Sequence, residues 1–97
     1  MEQWRTEQTD RLIKAIADVK DEQECYRLLE DLCTIKEIMD MSQRLEVAKL
    51  LSQDKNYQEI TKMTGVSTAT ISRVNKCLAY GSGGYRLALK KLEEAED

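Results

Sequence analysis

The chain has no proline, no histidine and no phenylalanine, and only four glycines in 97 residues. Without proline, no position is denied its helical N–H bond, so long helices are permitted almost throughout. Without histidine, acid–base chemistry near neutral pH falls to carboxylates and lysines, and the commonest metal ligand is absent. Adjacent acids such as Glu30-Asp31 and Glu93-Glu94 diverge by about 100° around a helix and cannot share a catalytic site. The segment Gly81-Ser82-Gly83-Gly84 has no strand before it and no Lys-Ser/Thr after it, so it reads as a flexible link and not a phosphate loop. No enzyme, cofactor or metal site is expected. Cys25, Cys33 and Cys77 lack zinc-ligand spacing and each reads as a small core residue. Met39 and Met41, near Cys33, read likewise as core filler. The odd cysteine count and the absent signal peptide point to the cytoplasm, and no apolar run approaches the length of a membrane span.

What remains is a helical composition, 34% charged and 41% hydrophobic, long enough for one domain over 1–97. So short a chain buries only part of its surface, and oligomerisation is a natural source of extra core. The net charge of −3 argues mildly against a nucleic-acid partner, but the charges are unevenly placed. Residues 1–52 carry 8 basic and 12 acidic groups, and residues 53–80 carry 4 and 2. The one basic segment contains the most distinctive pattern in the chain.

That pattern runs from Tyr57 to Leu78. It reads as two short helices about Gly65, where the chain must reverse and a residue without a Cβ is favoured. Ile60 and Met63 form the apolar stripe of the first helix. Val66, Ile71, Val74 and Leu78 form that of the second, with Ser67 as its N-cap. The outer face of the second helix is small and hydroxylated, then basic, and no carboxylate occurs from Gly65 through Gly84. A packing helix normally shows long polar side chains there. The arrangement is a helix-turn-helix, whose second helix enters the major groove of double-stranded DNA. Candidate DNA-binding residues are Gln58, Thr61, Lys62, Ser67, Thr68, Ala69, Ser72, Arg73 and Lys76.

The other helices announce themselves at their starts. The first is expected from about Gln3 to Lys20, with Leu12, Ile13, Ile16 and Val19 in a stripe and Trp4 on roughly the same face. Trp4 is read as a dimer contact. Asp21 and Glu24 form a capping box for a second helix carrying Cys25, Leu28, Leu29 and Leu32. Thr34 and Glu37 form another, opening a third helix to about Gln53. Its apolar residues, Ile35, Ile38, Met39, Leu45, Val47, Ala48, Leu50 and Leu51, exceed one stripe, so it should be buried on two sides, the second by another subunit. Asn56 and Glu59 form a further box. A last helix is expected from Tyr85 to about Glu94, with fraying at its acidic end. The class is therefore all-α, with five or six helices.

From Thr34 to Leu89 the chain resembles the Trp repressor family, and most of all its YerC/YecD group. The matching parts are Thr34-x-x-Glu37, Leu50-Leu51, Glu59-Ile60, Gly65, and the run Ala69-Thr70-Ile71-Ser72-Arg73 with Leu78. The resemblance implies six helices and an intertwined homodimer, with dimerising helices at about 3–53 and 85–94 and the helix-turn-helix at about 57–78. It also implies Thr68, Ala69 and Ser72 near base edges, Gln58 and Thr61 near the phosphate backbone, and repression by promoter occlusion. In the Trp repressor, tryptophan slots between two arginines and sets the angle of the reading heads. One of these matches Arg73, and the other falls on Gln43 with Arg44 beside it. The glycine that makes room for the indole is Val74 here, and a nearby serine is Cys77. These five positions are the candidate effector pocket, and an unknown small molecule, or none, is expected there in place of tryptophan. A helical dimer that binds another protein and keeps the helix-turn-helix as a scaffold is the alternative, supported by the net acidity.

Overall fold

The computed structural model describes residues 3–96, and among them are six α-helices and no strand. They are α1 (Glu7–Ala17), α2 (Glu22–Leu32), α3 (Ile35–Ser52), α4 (Tyr57–Thr64), α5 (Thr68–Tyr80) and α6 (Gly84–Glu96). The chain divides into two compact units between Ile38 and Met39.

The start signals work as local hydrogen-bond chemistry. Asp21 accepts the Glu24 N–H at 2.9 Å, while the Glu24 carboxylate accepts from the N–H of Lys20 at 2.6 Å, just outside the cap. Thr34 and Glu37 make the full reciprocal box, at 3.0 and 2.8 Å. These contacts satisfy donors that a helix start leaves without partners. Asn56 makes only half of its box. Its side chain accepts the Glu59 N–H at 2.9 Å, but the Glu59 carboxylate lies 4.0 Å from the Lys55 ammonium, forming an ion pair.

The first helix is shorter than its periodicity predicts. Thr6 caps it through a reciprocal box with Thr9, so α1 starts at Glu7, and it ends at Ala17 with Asp18 as C-cap. Gln3 and Trp4 lie in a turn before it. Trp4 is therefore not part of a helical stripe; it is exposed, with the Arg5 guanidinium 5.1 Å from its ring centroid. Neither α1 nor α2 buries any residue fully within the chain, and Leu12, Ile13, Ile16, Tyr26 and Leu32 are all exposed. The last helix begins at Gly84, one residue before Tyr85, and is helical through Glu96.

The second unit holds the core. Val47, Ala48 and Leu50 of α3 pack with Ile60, Val66, Ile71 and Val74, and Leu51, Tyr57, Tyr85 and Leu89 close around them. Fully burying each aliphatic side chain contributes about 1.5–3 kcal/mol, well above any difference in helix propensity. Burial in α3 is confined to its second half. Ile35, Met39 and Met41 stay exposed, so the two methionines are not core filler within one chain. Two further expectations fail. Met63 is 61% exposed, because the inward face of α4 is Tyr57, Ile60, Thr61 and Thr64, at i, i+3, i+4 and i+7, and Met63 falls outside it. Cys77 is exposed and not a core residue, whereas Cys25 and Cys33 are half-buried; the core side of α5 is taken by Ile71, Val74 and Leu78.

Candidate nucleic-acid interface

The reversal between α4 and α5 is fixed by backbone conformation and three short contacts. Gly65 is left-handed (φ 75°, ψ 5°), and its N–H donates to the Thr61 carbonyl at 2.7 Å. A Cβ at Gly65 would touch nothing within 4 Å, so glycine serves the dihedral angle there and not a close approach. The Thr64 hydroxyl donates to the Ile60 carbonyl at 2.7 Å and accepts from the Val66 N–H at 3.1 Å. That doubly used hydroxyl locks the turn so that Val66 drops into the core. Ser67 then caps α5, its oxygen accepting the Thr70 N–H at 3.3 Å.

With Ile71 and Val74 buried, the opposite face of α5 is set by the helical period. Ser67, Thr68, Ala69, Ser72, Arg73 and Lys76 are all exposed. Along a helix, Thr68, Ala69, Ser72, Arg73 and Lys76 recur at spacings of three and four and so form one continuous face. Its leading end is short-chained, which lets a backbone approach closely. The first turn of α5 has no acidic residue of its own to offset the positive end of the helix dipole, and Asp40 of α3 shares a cleft with Ser67 and Thr70 there. On α4, Gln58 and Lys62 are exposed and one turn apart. Thr61 belongs elsewhere: its hydroxyl is buried and has no hydrogen-bond partner. The hydroxyl does not reach the surface, because Thr61 lies on the inward face of α4, where the sequence pattern places Met63.

The candidate effector residues are only partly brought together. Gln43, Arg44 and Arg73 line one cleft of about 340 Å³, together with Asp40, Gly65, Val66, Ser67 and Thr70. Val74 and Cys77 do not line it. Val74 is packed into the core at 1% exposure, and Cys77 stands exposed outside the cleft. Asp40 and Thr70 are lining residues that sequence reasoning passed over. Their signal was helical spacing: Asp40 precedes Gln43 and Arg44 by three and four positions, and Thr70 precedes Arg73 by three.

A capped helical pair joined by a left-handed glycine, carrying an exposed carboxylate-free second helix, defines a helix-turn-helix protein of the DNA-binding class. The model of the Trp repressor protein family matches residues 7–93, across both units, and the chain belongs to that family. Its members are helical DNA-binding regulators and not enzymes. The chain is 47% identical over 96 residues to YerC of Bacillus subtilis strain 168, covering 99% of this chain and 92% of that protein. A TrpR-like protein from Eubacterium eligens superposes with a TM-score of 0.87 at 47% identity, over 92% of each chain. A proposed Trp repressor from Staphylococcus aureus gives 0.86 at 42% identity, over 92% of this chain and 89% of that one. No described helix is long and apolar enough to cross a membrane.

Proposed function

We propose that the chain is a cytoplasmic, sequence-specific transcriptional repressor that binds double-stranded DNA as a homodimer and does not require tryptophan. The observation that carries the DNA reading is the exposed face of α5, small at its leading end, basic behind, and without a carboxylate from Gly65 through Gly84. Thr68, Ala69 and Ser72 read base edges; Gln58, Lys62, Arg73 and Lys76 meet phosphates. Two such heads would enter successive major grooves about 34 Å apart on a roughly palindromic site.

Dimerisation is supported by what one chain leaves uncovered. The first unit has no fully buried residue in α1 or α2, yet presents a row of large apolar side chains. A helical pair of that size cannot sustain itself on its own core. The placement of Val74 and Cys77 supports independence from tryptophan. A cleft that has lost its shape and polar partners loses most of its affinity, and here the glycine of the family pocket is a core valine.

The test is fluorescence anisotropy against a random-sequence duplex pool at low and moderate salt, with and without tryptophan. Selective binding without tryptophan is expected. Binding only with tryptophan would overturn the effector reading, and no binding would favour the protein-partner alternative. Replacing Arg73 by Ala is expected to weaken binding and lower the salt slope by about one. An unchanged slope would remove Arg73 from the phosphate contacts.

A further inference from the structure

The end of the recognition helix is as closely built as its start. Gly81 donates its N–H to the Cys77 carbonyl at 2.8 Å, and a Cβ on Gly81 would stand 2.3 Å from that oxygen. The close approach excludes any larger residue at Gly81 without movement. Gly83 follows at φ 91°, another left-handed position. Three glycines in four residues give the backbone between α5 and α6 little stiffness of its own. Beside the packing of Tyr85 and Leu89 on the core, one side-chain hydrogen bond among the described residues spans this link: Arg86, from the first turn of α6, donates its Nε–H to the Leu78 carbonyl at 2.9 Å. Leu78 O is one of the carbonyls that a helix end leaves without a partner. The helix caps described above act within a single turn, whereas this contact joins two helices across the glycine link. A charged donor makes it stronger than a neutral pair.

We propose that Arg86 is a positioning residue: through the Leu78 carbonyl it fixes the end of the recognition helix against α6, and so sets the direction in which Arg73 and Lys76 are presented. Its relevance to DNA rests on the function proposed above, but the tether itself belongs to the free protein. Arg86 lines a cleft with Leu78, Leu89 and Lys90 and with none of the exposed α5 residues named above, and on this proposal it acts through α5 and not through a phosphate. An arginine in contact with a phosphate contributes about one unit to the salt slope, and a positioning arginine contributes none. Lysine at this position keeps the charge but lacks the planar Nε–H donor.

The experiment compares the full chain with Arg86→Ala and Arg86→Lys at a temperature where circular dichroism shows unaltered helicity. Amide hydrogen exchange is first measured in the free protein at Ala79, Tyr80 and Gly81. Both variants are expected to speed exchange there by about three- to tenfold, as for a lost charge-assisted bond on an exposed helix end. Unchanged exchange would overturn the tether, whatever the protein binds. The second readout is the dissociation constant for a fluorescein-labelled duplex recovered from a random-sequence pool on the unaltered protein. Weakening by about three- to tenfold with the salt slope unchanged is expected for both variants. A slope reduced in Arg86→Ala and restored in Arg86→Lys would overturn the proposal in favour of a direct phosphate contact. Faster exchange with an unchanged dissociation constant would overturn it by reducing Arg86 to a stabilising contact. Failure of the unaltered protein to recover any duplex would refute the DNA reading, and the exchange data would still decide the tether.

Discussion

The buried hydroxyl of Thr61 gives the sharpest test of how the helix-turn-helix is assembled. Its oxygen is shut off from solvent without a hydrogen-bond partner, on a residue that is otherwise half-buried. Leaving a hydroxyl buried and unpaired costs about 1–3 kcal/mol, and the partial exposure of the residue places Thr61 at the lower end. Valine replaces that hydroxyl by a methyl of similar shape and keeps the β-branch, so helix propensity is nearly constant. Thr61→Val is therefore expected to stabilise the protein by about 1 kcal/mol, or about 4–8 °C in Tm for a domain of this size. Urea titration at fixed protein concentration, followed by circular dichroism, measures the change. The concentration is fixed because association into the proposed homodimer would shift apparent stability. DNA affinity should be unaltered, since the hydroxyl does not reach the surface. A lower urea midpoint, or affinity lost while the midpoint rises, would refute the reasoning. The latter would mean that Thr61 turns its oxygen outward to a phosphate on binding.

Gly65→Ala is expected to cost about 1–2 kcal/mol, purely from the left-handed backbone, since the added methyl meets nothing. Asparagine there should cost less, and equal losses for both in the urea midpoint would argue against a conformational origin. Ile71→Ala should destabilise by about 2–5 kcal/mol, because Ile71 is fully buried between the two helices and the core above them. Met63→Ala, at the exposed position, should stay within about 0.5 kcal/mol. Comparable losses at Ile71 and Met63 would restore Met63 to the core.

The difference between those two positions shows where sequence reasoning reaches and where it stops. Caps at Asp21, Thr34, Asn56 and Ser67 were evident because a side-chain oxygen and an N–H three residues on suffice to define them. Thr6 was passed over because its partner at the third helical position is Thr9, whose hydroxyl does the work usually given to Glu or Gln. On α4 the inward positions include Thr61 and Thr64, so the apolar signal was thin and Met63 looked more hydrophobic than its place warranted. Threonine buries its methyl and, at Thr64, spends its hydroxyl on the turn. Cys77 was beyond reach for another reason: only tertiary packing decides which flank of the Ile71–Val74–Leu78 stripe is covered. Likewise, periodicity marks the apolar rows of α1 and α2 but does not tell whether the chain itself covers them, and they stay exposed.

Charge gives the last step. A chain of net charge −3 looks ill-suited to DNA, yet DNA meets only the surface turned toward it. Acidic residues are spread over α1 to α4 and the end of α6, while the twenty positions from Gly65 to Gly84 hold none. Carboxylates more than roughly 8 Å from a phosphate held against α5 are largely screened at physiological salt, and Asp40, which shares a cleft with Ser67, Thr70 and Arg73, is the acidic group beside that helix. On the function proposed above, the few cations of α4 and α5 govern the contact, with a modest field that limits non-specific affinity. On the same proposal, so weakly basic a helix pair draws more of its binding from base edges, through Thr68, Ala69 and Ser72. Selectivity between sequences should consequently persist as salt rises and total affinity falls, since base contacts release no counterions.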